Sequence, residues 1–351
     1  MSRRAMARVS MAMIARKAGV SRNTVSLALR GSPRISVATR EKVRRIAEEL
    51  GYARNPVVAQ LLVELRRNGT AGCQRALALL NGSRGRRALA ENGPEHVWGR
   101  ACRERAEAQG YGCDEFWLDD PELDGGRLNR IFEARGIVGG VIVASVPDRV
   151  LPERFMPTWE KFPCVVAGGR TRRPALPFCW VDHHQVVLEA VRKVMDLGYK
   201  RPALVVDQAI DDMLDGRFSS AMWRAQQALP AKNRIASFMA RPARGEGEAA
   251  FLEWMERNEP DVLLTLHVDL HDLLVRSGRR IPEDIGLVLL DKHAAQADWA
   301  GIDQHHDAAA GAAVDLLISM IHNHQTGIPE FPRATLIGGT WSPGWTVRPQ
   351  S

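Results

Sequence analysis

A short stretch near the N-terminus combines residues that can pair with DNA bases and a spacing that can present them. Arg22 and Asn23 are side-chain types that bind guanine and adenine, respectively, through two hydrogen bonds. They follow Gly19, which can end one helix in the left-handed conformation, and Ser21, whose hydroxyl can cap the next helix. Two short helices joined by such a turn are typical of a helix-turn-helix, in which the second helix contacts base edges in the major groove.

Apolar residues on both sides of this turn recur at helical spacing. A third helix is predicted from Ser36 to about Leu50, and Gly51 ends it. The alternative is an ordinary solvated helical hairpin with a charged face. The apolar positions with helical spacing are Ile14, Ala15 and Ala18 in the first helix, Val25, Ala28 and Leu29 in the second, and Val43, Ile46, Ala47 and Leu50 in the third.

Basic charge is concentrated at the same end of the chain. Residues 1–72 contain 15 Lys and Arg but only 4 Asp and Glu, whereas the remaining residues contain 33 and 37. A basic module joined to a mildly acidic body indicates a local contact with a polyanion. Residues 1–8 are expected to form a disordered basic arm that adds phosphate contacts.

The segment after the head has the composition of a helix that needs a partner. Asn55 can cap it and Pro56 suits its first position. A helix of about ten residues is marginal alone in water because nucleation is costly. The adjacent Leu61 and Leu62 are apolar and favour a segment that folds only against its twin and DNA.

From residue 73 onward, strand-like and helix-like runs alternate, which predicts parallel sheets joined by crossover helices. Two successive doubly wound units, the second closed by a helix over Ala308–His322, imply two lobes with a ligand cleft at the carboxyl ends of the strands. The predicted strands are Ala76–Leu80, Cys113–Leu118, Gly140–Ala144, Cys164–Ala167, Ala203–Val206, Ile235–Met239, Val262–Leu266 and Gly286–Leu290.

The sequence resembles the LacI/GalR family of bacterial transcription regulators along nearly its whole length. The family implies an α+β multidomain chain: a three-helix DNA-binding head over residues 1–51, a hinge helix and linker over 52–72, and an α/β two-lobed, periplasmic-binding-protein-like domain over 73–351 that binds effector and dimerises. The residues that carry the resemblance are Ile14–Ser21, Thr24–Ser26, Ser32-Pro33, Thr39-Arg40, Ala47–Tyr52 and Asn55-Pro56, with weaker similarity at Asp182, Leu197–Tyr199, Pro260-Asp261, Ile281–Gly286, Asp291 and Gln304.

The resemblance also implies roles for individual residues in DNA binding. A homodimer would place two heads on a near-palindromic operator, and Leu61 matches the hinge leucine that wedges into the minor groove. Leu27 stands where the family often has Arg, so a thymine-methyl contact replaces a third polar base contact. The expected DNA-binding residues are Ser21, Arg22, Asn23, Thr24, Ser26, Leu27, Asn55 and Leu61.

The expected effector is a sugar or related metabolite. Asp291 matches the family's effector-binding aspartate, His267 falls where an effector-binding Asn is common, and Arg217 resembles the effector arginine in type but not in spacing. Asn81, after the first strand, is a further candidate. Trp98, Trp223 and Trp299 have aromatic faces that suit a sugar, although most tryptophans belong to the core.

Other function classes are weighed against this interpretation. Pairs such as His305-His306 suggest a metal site, but short clusters of this kind are usually incidental, and no phosphate loop or nucleophile elbow is present. We therefore expect no catalysis, cofactor or metal. The alternatives are an operator-binding regulator without an effector, a solute-binding module and a metal-dependent enzyme. Without an apolar leader or span, and with five scattered cysteines, the chain is expected to be cytoplasmic and to make no membrane contact.

Overall fold

The computed structural model describes residues 11–29, 35–50, 75–89, 94–143, 149–242 and 245–350. The predicted N-terminal arm and hinge helix lie outside these ranges. The helices are α1 (Met11–Ala18), α2 (Arg22–Leu29), α3 (Val37–Glu49), α4 (Pro94–Ala108), α5 (Gly125–Arg135), α6 (Met156–Lys161), α7 (His183–Asp196), α8 (Gln208–Met213), α9 (Arg217–Gln226), α10 (Glu246–Asn258), α11 (Leu270–Arg276) and α12 (His306–His322). The strands are β1 (Ala76–Asn81), β2 (Gly112–Trp117), β3 (Ile137–Val143), β4 (Cys164–Ala167), β5 (Phe178–Val181), β6 (Pro202–Val205), β7 (Val262–Thr265), β8 (Gly286–Leu289), β9 (Gly301–Asp303), β10 (Ala334–Ile337) and β11 (Thr340–Ser342).

The first three helices pack around one small core. Each contributes the apolar face that helical spacing predicts, and Leu29 and Leu50 pack at its margin, half-buried. The core residues are Ile14, Ala15, Ala18, Val25, Ala28, Val43, Ile46 and Ala47. These faces leave the opposite sides of the helices free for polar and basic residues.

The rest of the described chain forms two sheets. The six-stranded sheet has the order β10-β5-β4-β3-β1-β2 and is entirely parallel; with its helices we call it the first lobe. The five-stranded sheet, order β11-β9-β8-β7-β6, is parallel except for β11 and forms the second lobe. Apolar cores line both faces of each sheet, because parallel strands need helices on both sides. The predicted fold class is confirmed.

The sequence predicts two successive units, but the chain passes back and forth between the two lobes. The chain leaves the first lobe after β5, returns to it after β9, and crosses again between β10 and β11. The closing helix α12 packs on β3, β4, β5 and α4 of the first lobe, so its predicted place in the second unit is wrong. The predicted strand Ile235–Met239 is also wrong, since only an isolated bridge joins Phe238 to Val205. The short strands β5, β9, β10 and β11 were not predicted.

The three crossing segments are hydrogen-bonded to one another. The backbone N–H of Asp182 donates to the carbonyl of Ile337 at 2.8 Å, and His305 Nε2 lies 2.7 Å from Thr340 Oγ1. These bonds join the first crossing to the third and the second to the third. Any change in the angle between the lobes must therefore pass through one linked set of segments.

Two neighbouring glycines at the third crossing offer a test of how tightly it is packed. A Cβ on Gly339 would lie 2.4 Å from Ile302 Cγ2 and 3.0 Å from Val186 Cγ2, whereas on Gly338 it would meet only the Gln185 side chain, at 3.5 Å. Overpacking against stiff β-branched side chains costs roughly 1–3 kcal/mol. We expect Gly339→Ala to lower the free energy of unfolding by this amount in urea denaturation, and Gly338→Ala to change it by less than about 0.5 kcal/mol. Equal effects would refute the tight packing.

Candidate functional site

The turn between α1 and α2 has the geometry that the sequence predicts. Gly19 is left-handed, with φ of +70°, and the Ser21 hydroxyl accepts the backbone N–H of Thr24 at 3.0 Å. Ser21 thus caps α2, and this prediction is confirmed. Arg22 and Asn23 occupy the first turn of α2, the part of a recognition helix that faces base edges.

Three of the other expected DNA-binding residues, Thr24, Ser26 and Leu27, lie on α2. The Thr24 hydroxyl lies 2.8 Å from that of Ser21, so both side chains take part in the helix cap. Leu27 is half-buried on α2, and Ser26 lies on the same helix. Asn55 and Leu61 lie outside the described residues.

The second sheet gathers three polar residues at its carboxyl edge. Val205 of β6 pairs with Thr265 of β7, and Thr265 pairs with Leu289 of β8. Asp207, His267 and Asp291 each follow two positions after these paired residues. The parallel register therefore sets them side by side, at the edge where open α/β sheets bind ligands. His267 and Asp291, two of the residues expected from the sequence, are thus brought together.

Asp291 is engaged by a histidine from the first lobe's last helix. His306, the first residue of α12, places Nε2 3.0 Å from both carboxylate oxygens of Asp291. The indole of Trp98 on α4 lies 5.7 Å from the His306 ring, centroid to centroid. His293 approaches the same carboxylate at 3.7 Å. This group links the two lobes.

His183, at the start of α7, is a neutral component of the same region. It is 5% exposed and packs edge-on against Trp180 and Phe218 at 4.7 and 5.4 Å. Burial lowers the pKa of His183 to about 3; the Asp291 carboxylate opposes this shift, and the positive charge of Arg217 adds to it. Arg217 thereby belongs to the surroundings of Asp291, although the structure shows no direct bond between them.

His267 is buried beside a carboxylate. Its backbone N–H donates to Thr265 Oγ1 at 3.0 Å, and its Nε2 lies 3.7 Å from Asp207 Oδ2, too far for a hydrogen bond. Burial lowers the pKa of His267, and Asp207 offsets part of that shift. The imidazole is therefore neutral near pH 7 and available as a hydrogen-bonding group.

Asn81 ends β1, and its side chain is hydrogen-bonded within the loop that follows. It is fully buried, its amide donates to the carbonyls of Gly85 and Arg86 at 3.0 and 3.2 Å, and its carbonyl oxygen accepts from Ser83. These bonds shape the loop at the carboxyl edge of the first sheet and leave no exposed Asn81 atom for a ligand.

An ion pair that the sequence did not predict fastens the lobes beside the cleft. Arg149, which follows β3 in the first lobe, bonds to the Asp215 carboxylate and to the carbonyls of Asp212 and Met213 in the second. Arg172 adds a contact to Asp215 at 3.4 Å. Partial burial raises the pKa of Asp215, but the hydrogen bond and charge of Arg149 outweigh this, so the pKa lies below its ordinary value.

The remaining candidates are dispersed. Trp223 is 65% exposed on α9, and Trp299 packs against His271 and Trp345 instead of joining Asp291. Within the described ranges, no three His, Cys, Asp or Glu side chains are grouped so that they could hold a metal ion. In the same part of the chain, no helix has the length and apolar character needed to span a membrane.

A protein-family profile matches the N-terminal head. Residues 10–55 match the profile described as "Bacterial regulatory proteins, lacI family". The chain is 27% identical over 339 residues to the HTH-type transcriptional regulator CelR of Thermobifida fusca, covering 91% of this chain and 94% of that protein. The resemblance to the LacI/GalR family is confirmed.

Solved structures of LacI-type regulators share the fold of the described residues. A CelR–cellobiose complex matches 97% of this chain and 100% of that one, with a TM-score of 0.54 and 21% identity. A Lac repressor dimer bound to operator and the anti-inducer ONPF gives the same coverage and TM-score at 18% identity. A LacI-family protein from Rhizobium etli gives a TM-score of 0.58 over 79% of this chain, at 13% identity. At these identities the likeness establishes the fold.

The lobe-to-lobe ion pair can be tested with neighbouring carboxylates. Asp215→Asn leaves the partly buried Arg149 guanidinium without its charged partner, so we expect the free energy of unfolding to fall by about 1–3 kcal/mol. Asp212→Asn is the matched control. The Asp212 carboxylate accepts a hydrogen bond from Gln208 Nε2, and Arg149 bonds only to the backbone carbonyl of Asp212. Distances between spin labels on the two lobes should lengthen in Asp215→Asn alone. An unchanged distance distribution would show that the pair does not hold the lobes together.

Proposed function

We propose that this chain is a sequence-specific DNA-binding transcription regulator, acting as a repressor under the control of a small hydroxyl-rich effector such as a sugar. The observation that carries the proposal is the capped helix-turn-helix of residues 11–29, inside the segment that matches the lacI-family profile. Arg22 and Asn23 in the first turn of α2 would supply base contacts. Thr24, Ser26 and Leu27 would supply contacts to phosphates and thymine methyl groups.

The polar residues at the carboxyl edge of the second sheet support the effector part of the proposal. Asp291, His267 and the nearby Arg217 supply a carboxylate, an imidazole and a guanidinium, groups that hydrogen-bond to sugar hydroxyls. The similar CelR structure is a complex with cellobiose, which favours a saccharide here. Asn81 is left out of this proposal, since its amide groups are used within its loop.

We further propose the domain division and assembly that the sequence suggests. Residues 1–51 form the head, 52–72 the hinge, and 73–351 the effector-binding and dimerisation domain of a homodimer on a near-palindromic operator. The similar Lac repressor structure is a dimer on operator DNA, which supports this arrangement. Ligand-induced movement of the lobes would change the separation of the paired hinges and thereby operator affinity.

Experiment can distinguish a regulator that responds to an effector from one that binds its operator without an effector. The relatives are transcription regulators, which are not enzymes, and a DNA regulator works in the cytoplasm, where bacterial DNA lies. An operator-binding regulator without an effector is the alternative. A ligand that binds only the native state must raise its melting temperature. A thermal-shift screen in which no saccharide raises the melting temperature would therefore favour the alternative.

Replacement of the first recognition-helix residue tests base-specific contact. Arg22→Ala should cost about 1–3 kcal/mol at a single operator position and relax base preference there, because a bidentate contact to one base is lost. Competition binding with all single-base operator variants measures this. Arg45→Ala, an exposed arginine on α3, is the control. Equal loss for Arg22→Ala across unrelated sequences would assign Arg22 to phosphate.

Replacement of the hinge leucine tests the wedge. Leu61→Ala should leave the head folded but reduce both operator bending and affinity, since the kink requires an apolar side chain between base steps. Bending is measured by fluorescence transfer between the ends of a labelled operator. Leu62→Ala serves as the comparison, and a larger loss of bending there would shift the wedge by one residue. Unchanged bending in both variants would remove the wedge from the mechanism.

A further inference from the structure

The contact between Asp291 and His306 determines which imidazole nitrogen carries the proton. His306 Nε2 lies 3.0 Å from both oxygens of a carboxylate, which only accepts hydrogen bonds. Nε2 must therefore be protonated, and in the neutral ring Nδ1 is left with a lone pair. Nδ1 lies on the side away from Asp291, and it is a hydrogen-bond acceptor when the ring is neutral.

That acceptor is buried without a partner. The Nδ1 atom of His306 makes no hydrogen bond and is shielded from solvent, and the same holds for Nδ1 of His183 and Nε2 of His267. A buried polar atom left unpaired destabilises the fold. His267 and the His306–Asp291 contact both lie at the carboxyl edge of the second sheet, where a bound ligand would supply the missing hydrogen bonds.

His306 lies between groups of the two lobes. Its ring lies between Trp98 of the first lobe and Asp291 of the second. Trp98 is 8% exposed, and its indole packs beside the imidazole. An apolar face next to hydrogen-bonding groups matches the C–H surface and the hydroxyls of a sugar.

We propose that Asp291 acts on the effector through His306: the carboxylate fixes the ring so that Nδ1 accepts a hydrogen bond from an effector hydroxyl. This rests on the proposed effector role of the cleft, and it changes which atom meets the ligand. His306 becomes the binding residue and Asp291 the positioning residue. An anionic ligand group is disfavoured at this point, because it would face both a lone pair and the Asp291 carboxylate.

The tautomer can be measured without any ligand. In the full-length protein labelled with ¹⁵N-histidine, long-range ¹H–¹⁵N correlations distinguish the Nε2–H from the Nδ1–H form. We expect His306 in the Nε2–H form and a mixture of the two forms in Asp291→Asn. A predominant Nδ1–H form, or a ring protonated on both nitrogens near pH 7, in the wild-type protein would overturn the inference.

Ligand binding tests the role of the acceptor. Thermal shift and calorimetry use cellobiose, other neutral saccharides, their monodeoxy analogues and the corresponding sugar acids. We expect stabilisation by a neutral saccharide but not by its acid, and about tenfold weaker binding by His306→Ala, the loss of one hydrogen bond. His306→Gln should stay within about threefold, because its amide donates to Asp291 and its oxygen accepts from the ligand.

The double variant separates contact through His306 from direct contact with Asp291. If Asp291 acts through His306, the Asp291→Asn/His306→Ala protein binds no more weakly than the His306→Ala protein. If Asp291 binds the ligand itself, Asp291→Asn weakens binding on its own, and His306→Ala leaves affinity unchanged or increases it, which would refute the proposal. If no compound stabilises the wild type, the proposed effector control fails, and the tautomer measurement alone decides the inference.

Discussion

The chain crosses between the two sheets three times, and hydrogen bonds join the crossing segments to one another. Because the chain passes from lobe to lobe after β5, after β9 and between β10 and β11, neither lobe is completed by a continuous stretch of sequence. The helix α12, which follows the second crossing, packs on the first sheet and carries His306 at its start. The same crossing that completes the first lobe thus delivers a side chain to Asp291 in the second.

In this arrangement, the proposed effector site includes residues that form contacts between the two lobes. The Asp291–His306 contact and the Arg149–Asp215 pair both span the lobes, so each depends on the separation between them. Under the proposed effector role, a ligand bound to both His306 and His267 would gain its full binding free energy in only one arrangement of the lobes. Differential binding of this kind is what allows a small molecule to shift a two-state equilibrium and to act at a distant site.

Structural features that depend only on residues close together in the chain were predicted best from the sequence. The left-handed Gly19, the Ser21 cap and the apolar helical faces of the head are local, and the structure contains all of them. Asp291 was found through family resemblance, and its register beside His267 follows from parallel pairing. Strand type was also predictable for long apolar runs such as β1 and β3.

The contacts that the sequence did not predict join residues far apart in the chain. Arg149 and Asp215 meet only because a loop of one lobe reaches a helix end of the other, and no local pattern marks either residue. His306 stood out in the sequence as part of a histidine pair, but its partner became evident only when α12 was placed on the first sheet. Asn81 lies at the carboxyl end of β1, as a ligand-binding residue would, yet hydrogen bonds to its own loop decide its role.

The most direct test of regulator function is selection of bound duplexes from a random DNA pool by the full-length protein at physiological salt. We expect recovery of one near-palindromic motif, with half-sites for two heads around a flexible central step. Recovery of no motif, with and without a mixture of neutral saccharides, and affinity that follows only salt concentration, would contradict it. The head would then be a basic anchor and not a sequence reader.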